Sequence, residues 1–229
     1  MKQAKKTMEQ VIKTVEQSAK KVEQAIKIVE KSAKTVERPT IEEVCAKVLE
    51  NVNILHNLPK TKNKGMPGNY LENLTGIPTS SACLDCSDGE VKIFPLKLTK
   101  SGNYVPKETI AVTMLSKDSL TTHTFEESKV CQKLSKVLYV PYFRNGDIIQ
   151  YFTPTIIDLR EEKYAPLIET LRKDYDAIRK HFVETGALEG SSNIGKYLQN
   201  RTKGAGKGAP KTRAYYLRPL FMKDFVEMA

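Results

Sequence analysis

The chain has 229 residues, 40% apolar and 28% charged, with four cysteines and a net charge of +10. That balance excludes a disordered chain and a disulfide scaffold. No apolar run approaches the ~18 residues of a membrane span, and the charged N-terminus lacks the apolar core of a secretory signal. A reduced, cytoplasmic protein with a polyanionic partner is the expectation. Half of that net charge lies in residues 1–38, so the remainder is only moderately basic and charge alone argues weakly for DNA.

Residues 8–21 and 22–35 repeat, with nine of fourteen positions identical. Ile12, Ala19, Ile26 and Ala33 share one heptad position and Val15, Val22, Val29 and Val36 the other, a helical coiled-coil pattern. The alanines bury little, so a dimerising seam and a single amphipathic helix both fit. Arg38-Pro39 ends this extension, and residues 39–229 are expected to form the main domain.

Thr40 and Glu43 form a capping box opening a helix with Val44, Val48, Val52 and Leu55 on one stripe. A basic loop over 59–69 leads to a helix from about Pro67 to Thr75, closed by Gly76. Ala82 to Lys97 reads as a hairpin turning at Asp88-Gly89. Strands are expected over Thr109–Leu115, Val137–Tyr142 and Asp147–Ile157, and helices over Phe125–Lys136 and Arg160–Thr185. From Gly190 to Arg213 the composition shifts to Gly, Lys and Ser, and Arg201 to Arg213 reads as a basic loop that either orders on phosphates or is a solvated linker. Ala214–Arg218 is a last strand and Pro219–Met228 a last helix.

Chemistry concentrates in the 82–97 stretch. Asp85 opposite Glu90, with Lys92 two residues on, would bring two carboxylates and an ammonium together. Carboxylates held this close favour a cation, and an all-oxygen set suits Mg²⁺. The plain alternative is a solvated hairpin with one Glu–Lys pair. Cys83 and Cys86 lack the two further ligands that zinc needs, and they do not start a helix as a redox pair would. Lys211-Thr212 follows Pro210 where a phosphate-binding loop needs Gly, so no nucleoside triphosphate is expected.

The pieces, in order, resemble the MutH mismatch-repair endonuclease and the restriction enzymes that cut at GATC. The resemblance rests on Lys64-Gly65 leading to Glu72, on Asp85 with Glu90-Val91-Lys92, and on Ser128 to Pro141 with Lys133. It continues through Gly195 to Lys203 with Arg201, and Tyr215-Tyr216-Leu217-Arg218, so it covers about residues 40–229. Two features depart from the family: only four residues separate Asp85 from Glu90, and residues 1–38 have no counterpart. Asp88 is the other acidic choice, but it precedes the turn glycine.

The resemblance implies an α/β (α+β) fold of the PD-(D/E)xK restriction-endonuclease type: a mixed central sheet flanked by helices, shaped as two arms around a DNA cleft. It implies Mg²⁺-dependent hydrolysis of double-stranded DNA, with Mn²⁺ able to substitute, as a type II restriction enzyme at GATC. The alternatives are a partner-activated repair nickase and a non-catalytic DNA-binding module. Asp85 and Glu90 would hold the metal, with Glu72 assisting. Lys92 would position the water, and Lys133 would stabilise developing charge. DNA contacts would fall to Lys64, Arg201, Lys203, Lys207, Lys211, Arg213 and Tyr216, with Arg201 reading guanine and Tyr216 sensing adenine methylation. A double-strand cut needs two active sites, so a homodimer through residues 8–36 is a candidate.

Overall fold

A computed structural model describes residues 37–59, 63–188, 194–203 and 212–228. The heptads, Lys207 and Lys211 lie outside these residues. Arg38 to Ala229 fall in one compact unit.

The capping box is present: Glu43 N donates to the Thr40 hydroxyl and Thr40 N to the Glu43 carboxylate, opening α1 (Ile41–Leu49). The helix is shorter than its stripe suggested, since Leu55 belongs to a short strand, β1 (Leu55–Asn57). Helix α2 (Met66–Thr75) ends at Gly76, whose φ of +77° is the left-handed cap that only glycine adopts cheaply.

The expected hairpin at 82–97 is not formed. Residues 82–88 are irregular, and β2 (Glu90–Leu98) begins directly after Gly89. Gly89 is required for close approach: a Cβ there would stand 2.6 Å from both Ile41 Cγ1 and the Lys136 carbonyl oxygen. The true hairpin lies later, where β2 pairs antiparallel with β3 (Tyr104–Pro106).

Strand β4 (Ile110–Met114) and the short α3 (Lys117–Thr122) follow. The expected helix over 125–136 contracts to α4 (Lys129–Leu134), capped by the Ser128 hydroxyl. β5 (Lys136–Asn145) runs parallel to β2, with Glu90 opposite Val137. The expected strand 147–157 is two strands, β6 (Ile148–Tyr151) and β7 (Thr155–Asp158), pairing with opposite ends of β5. Pro154 interrupts between them, and Pro141 in β5 offers no N–H at the break.

A 3₁₀ turn (Glu162–Tyr164) leads into α5 (Ala165–Thr185). Residues 201–203, expected in a loop, extend β8 (Leu198–Lys203), which pairs with β9 (Thr212–Leu217), where Thr212 and Arg213 also leave the expected loop. α6 (Pro219–Phe225) closes the chain.

The result is an α/β fold with a mixed six-stranded sheet, ordered β1-β6-β5-β2-β3 with β7 also on β5, and a second sheet β4-β9-β8. β5 is buried on both faces, as a central strand with parallel pairing should be. Val137 and Tyr139 join one core with α5 and α6, while Leu138 and Val140 join another with α1 and α2.

Candidate active site

Parallel pairing of β2 with β5 decides the site. α4 runs straight into β5, so its last turn lies over the start of β2 and brings Lys133 to Glu90. Glu90 is 1% exposed. Its Oε1 accepts from Lys92 Nζ at 2.6 Å and from Lys133 Nζ at 2.7 Å. Its Oε2 is buried and has no hydrogen-bond partner. Lys92 shares the Glu90 side of the strand, as alternation requires, while Val91 and Ile93 pack into the α1–α2 core.

Asp85 lies against the start of the same strand, its Oδ2 accepting from Val91 N at 3.0 Å. Burial, and next the Glu90 charge, raise its carboxyl above the usual range. Glu72 comes from α2, which is anchored by Tyr151 Oη on the Pro67 carbonyl and by Lys47 Nζ on the Thr75 carbonyl. Burial and the nearby Asp85 charge raise its carboxyl too, against the pull of Lys92. Glu72, Asp85 and Lys92 line one pocket of about 200 Å³. Asp88 faces elsewhere: its carboxylate accepts from Ile41 N at 2.9 Å and pairs with Lys136.

These groups set one buried carboxylate, Glu90, near the half-buried Asp85 and Glu72, with two ammoniums on one Glu90 oxygen. Among the described residues no three His, Cys, Asp or Glu side chains converge as a ready-made cage. A magnesium site does not need one, because one or two carboxylates commonly suffice beside water and substrate phosphate. The unpartnered Glu90 Oε2, near the Asp85 carboxyl whose value the Glu90 charge helps to raise, is oxygen-donor chemistry of the kind a divalent cation takes. Cys86 does not offer a thiolate, its thiol being pushed up to about 12 by burial and then by Asp85, Asp88 and Glu90. Cys83 Sγ donates to Gln132.

A second pocket of about 260 Å³ shares Gly68, Lys92 and Ile93 with the first and extends past Lys64 and Thr109 to Ala111. The β4-β9-β8 sheet continues from there. Cross-strand pairing of Gln199 with Tyr216 and Arg201 with Ala214 puts Gln199, Arg201, Lys203 and Tyr216 on one face. Arg201 Nη1 donates to Thr109 Oγ1 at 2.9 Å, and its guanidinium lies 5.8 Å from the Tyr216 ring centroid. Lys203 is exposed at the strand end. Arg213 sits on the opposite face with Tyr215, and its Nη1 is buried without a hydrogen bond. Thr109, which holds Arg201, was invisible in the sequence, where it read only as the first residue of a strand.

Residues 80–164 match the family model described as DNA mismatch repair enzyme MutH. This segment is MutH-like. It holds Asp85, Glu90, Lys92 and Lys133, whereas Glu72, Arg201 and Tyr216 lie outside the match. No curated protein matches the chain in sequence. The solved complex of the restriction endonuclease MvaI with its cognate DNA substrate aligns over 81% of this chain and 94% of that chain, with 12% identity and a TM-score of 0.39. No helix among the described residues is long and apolar enough to cross a membrane.

Proposed function

We propose that the chain is a divalent-metal-dependent DNA endonuclease, with Asp85 and Glu90 as metal ligands and a preference for GATC. The observation that carries this reading is Glu90: a buried carboxylate with both neighbouring lysines on one oxygen and its other oxygen bare, inside the MutH-like segment. The family match supports a DNA endonuclease; metal dependence, the sequence read and the type II mode of cutting are this proposal's own.

When bound there, Mg²⁺ would supply Lewis-acid polarisation and an acidified water. The protein's groups divide the remaining work. Lys92 stands beside the ligand carboxylates, where its ammonium can orient the attacking water. Lys133 brings a second fixed positive charge to where the phosphorane gains negative charge. Glu72 borders the same pocket with a raised carboxyl, suited to holding a proton or a water there. Arg201 offers the fork that matches guanine O6 and N7, and Tyr216 stands beside it. Lys64 and Lys203 would serve the phosphate backbone.

Incubation of the full chain with Mg²⁺ and unmethylated plasmid, alongside Glu90→Ala, tests this reading, with the product ends sequenced. Discrete ends at GATC that vanish in the variant, a loss of about 10³-fold or more, are the expected outcome. Nicked circles alone would favour the partner-activated nickase. Salt-sensitive binding with no cleavage would favour a non-catalytic DNA module.

A further inference from the structure

Asp174 lies on α5, away from the carboxylate cluster, and is 5% exposed. Its carboxylate accepts three backbone N–H groups from a single turn: Oδ1 from Lys196 at 2.7 Å, and Oδ2 from Tyr197 at 2.7 Å and Leu198 at 2.8 Å. Successive amides wrapped on one anion form a nest, and such charge-assisted bonds are the strong ones. Gly195, at φ +83°, makes the wrap possible: a Cβ there would overlap the Leu198 carbonyl oxygen and stand 3.1 Å from Asp174 Cγ. Leu198 is the first residue of β8, and Arg201 follows three residues later. Arg218 N donates to the Tyr197 carbonyl at 2.8 Å, tying the same turn to the end of β9. Arg201 is thus restrained twice, through its strand's root at Asp174 and at its guanidinium by Thr109.

We infer that Asp174 is a positioning residue for DNA sequence discrimination: by clamping the 195–198 turn it fixes the place of β8, and through it Arg201, against the DNA. The inference rests on the reading of β8 as the recognition strand. Asn at this position keeps the shape but turns one acceptor into a donor facing N–H donors, so the clamp loosens without a change in volume.

The test is binding of the full chain to a fluorescent GATC duplex and to a duplex with the site permuted, without divalent metal, for Asp174→Asn, Arg201→Ala and the double variant. The expected result is about a tenfold fall in the ratio of the two affinities for Asp174→Asn, the size of one lost base contact. Binding to the permuted duplex should hold, and the effect should largely vanish in the Arg201→Ala background. A purely structural role would weaken both duplexes alike. An unchanged ratio, or an equal loss with and without Arg201, overturns the inference. An Arg201→Ala variant with a wild-type ratio instead overturns the recognition-strand reading and this inference with it. Should Asp174→Asn not fold, Asp174→Glu, which keeps the charge but displaces the turn, is expected to show the same fall; a folded Asp174→Glu with a wild-type ratio overturns the inference.

Discussion

Asp85 and Asp88 are three residues apart and both acidic, yet their surroundings give them opposite work. Asp88 is satisfied by Ile41 N and Lys136; burial pulls its carboxyl up, but these bonds outweigh it and leave it below the usual range. Asp85 is raised, by burial first and Glu90 second. Asp88→Ala should therefore cost about 1 kcal/mol of stability through the lost hydrogen bonds to Ile41 N and Lys136, with cleavage largely retained. Asp85→Asn should abolish cleavage and stabilise the metal-free protein at neutral pH by about 1 kcal/mol. The sign follows from linkage. A carboxyl whose folded value is raised contributes stability that is complete below the unfolded range, near pH 4, and is lost as pH rises through the folded value. Asp85→Asn minus wild type should thus grow more stabilising with pH above about 4. Urea denaturation without metal, from acid to neutral pH, checks this; a difference that shrinks with pH would contradict it.

Among the elements, the start of β2 carries the largest consequence. Gly89 lets α1 and β5 close on the backbone immediately before Glu90, and Lys136 binds Glu42 and Asp88 across the same junction. Gly89→Ala must push Ile41 and the Lys136 carbonyl apart. We expect a loss of about 1–3 kcal/mol from overpacking, read as a lowered melting temperature. Cleavage should fall further than instability explains, because Glu90 would shift relative to Lys133. A variant with unchanged stability would show that the junction yields. This element also marks where sequence reasoning stopped. The capping box at Thr40, the left-handed Gly76 and the strand at Val137–Tyr142 were legible because each is local. The hairpin at 82–97 was misread because Asp88-Gly89 carries a turn signature that a tertiary contact explains instead. Lys133 could be placed beside Glu90 only by resemblance, since it depends on parallel pairing 43 residues apart. Asp174 and Thr109 left no local trace at all, being polar residues in ordinary positions of a helix and a strand edge.

At the scale of the whole molecule, the described residues of one chain offer one carboxylate cluster with Lys92 and Lys133, and a duplex has two strands. Cutting both in one encounter requires a second copy. In the sequence, the heptad spacing of residues 8–36 is the pattern that offers a dimer seam. That seam is weak: alanine at two of its eight core positions contributes little burial, so a dimer formed through it should dissociate on dilution. Two species, residues 1–229 and 37–229, would be compared by light scattering; the second keeps Arg38, whose Nη1 donates to the Leu84 carbonyl at 2.7 Å beside Asp85. A concentration-dependent dimer of the full chain and a monomer of the shorter one are expected. The shorter species should then shift from linear to nicked plasmid products while its rate of first-strand cleavage stays within about threefold of the full chain, because the groups that would cut a single strand all lie within 38–229. Equal monomer masses would remove the heptads from the cutting mechanism and leave sequential nicking by one active site as the route to a double-strand break.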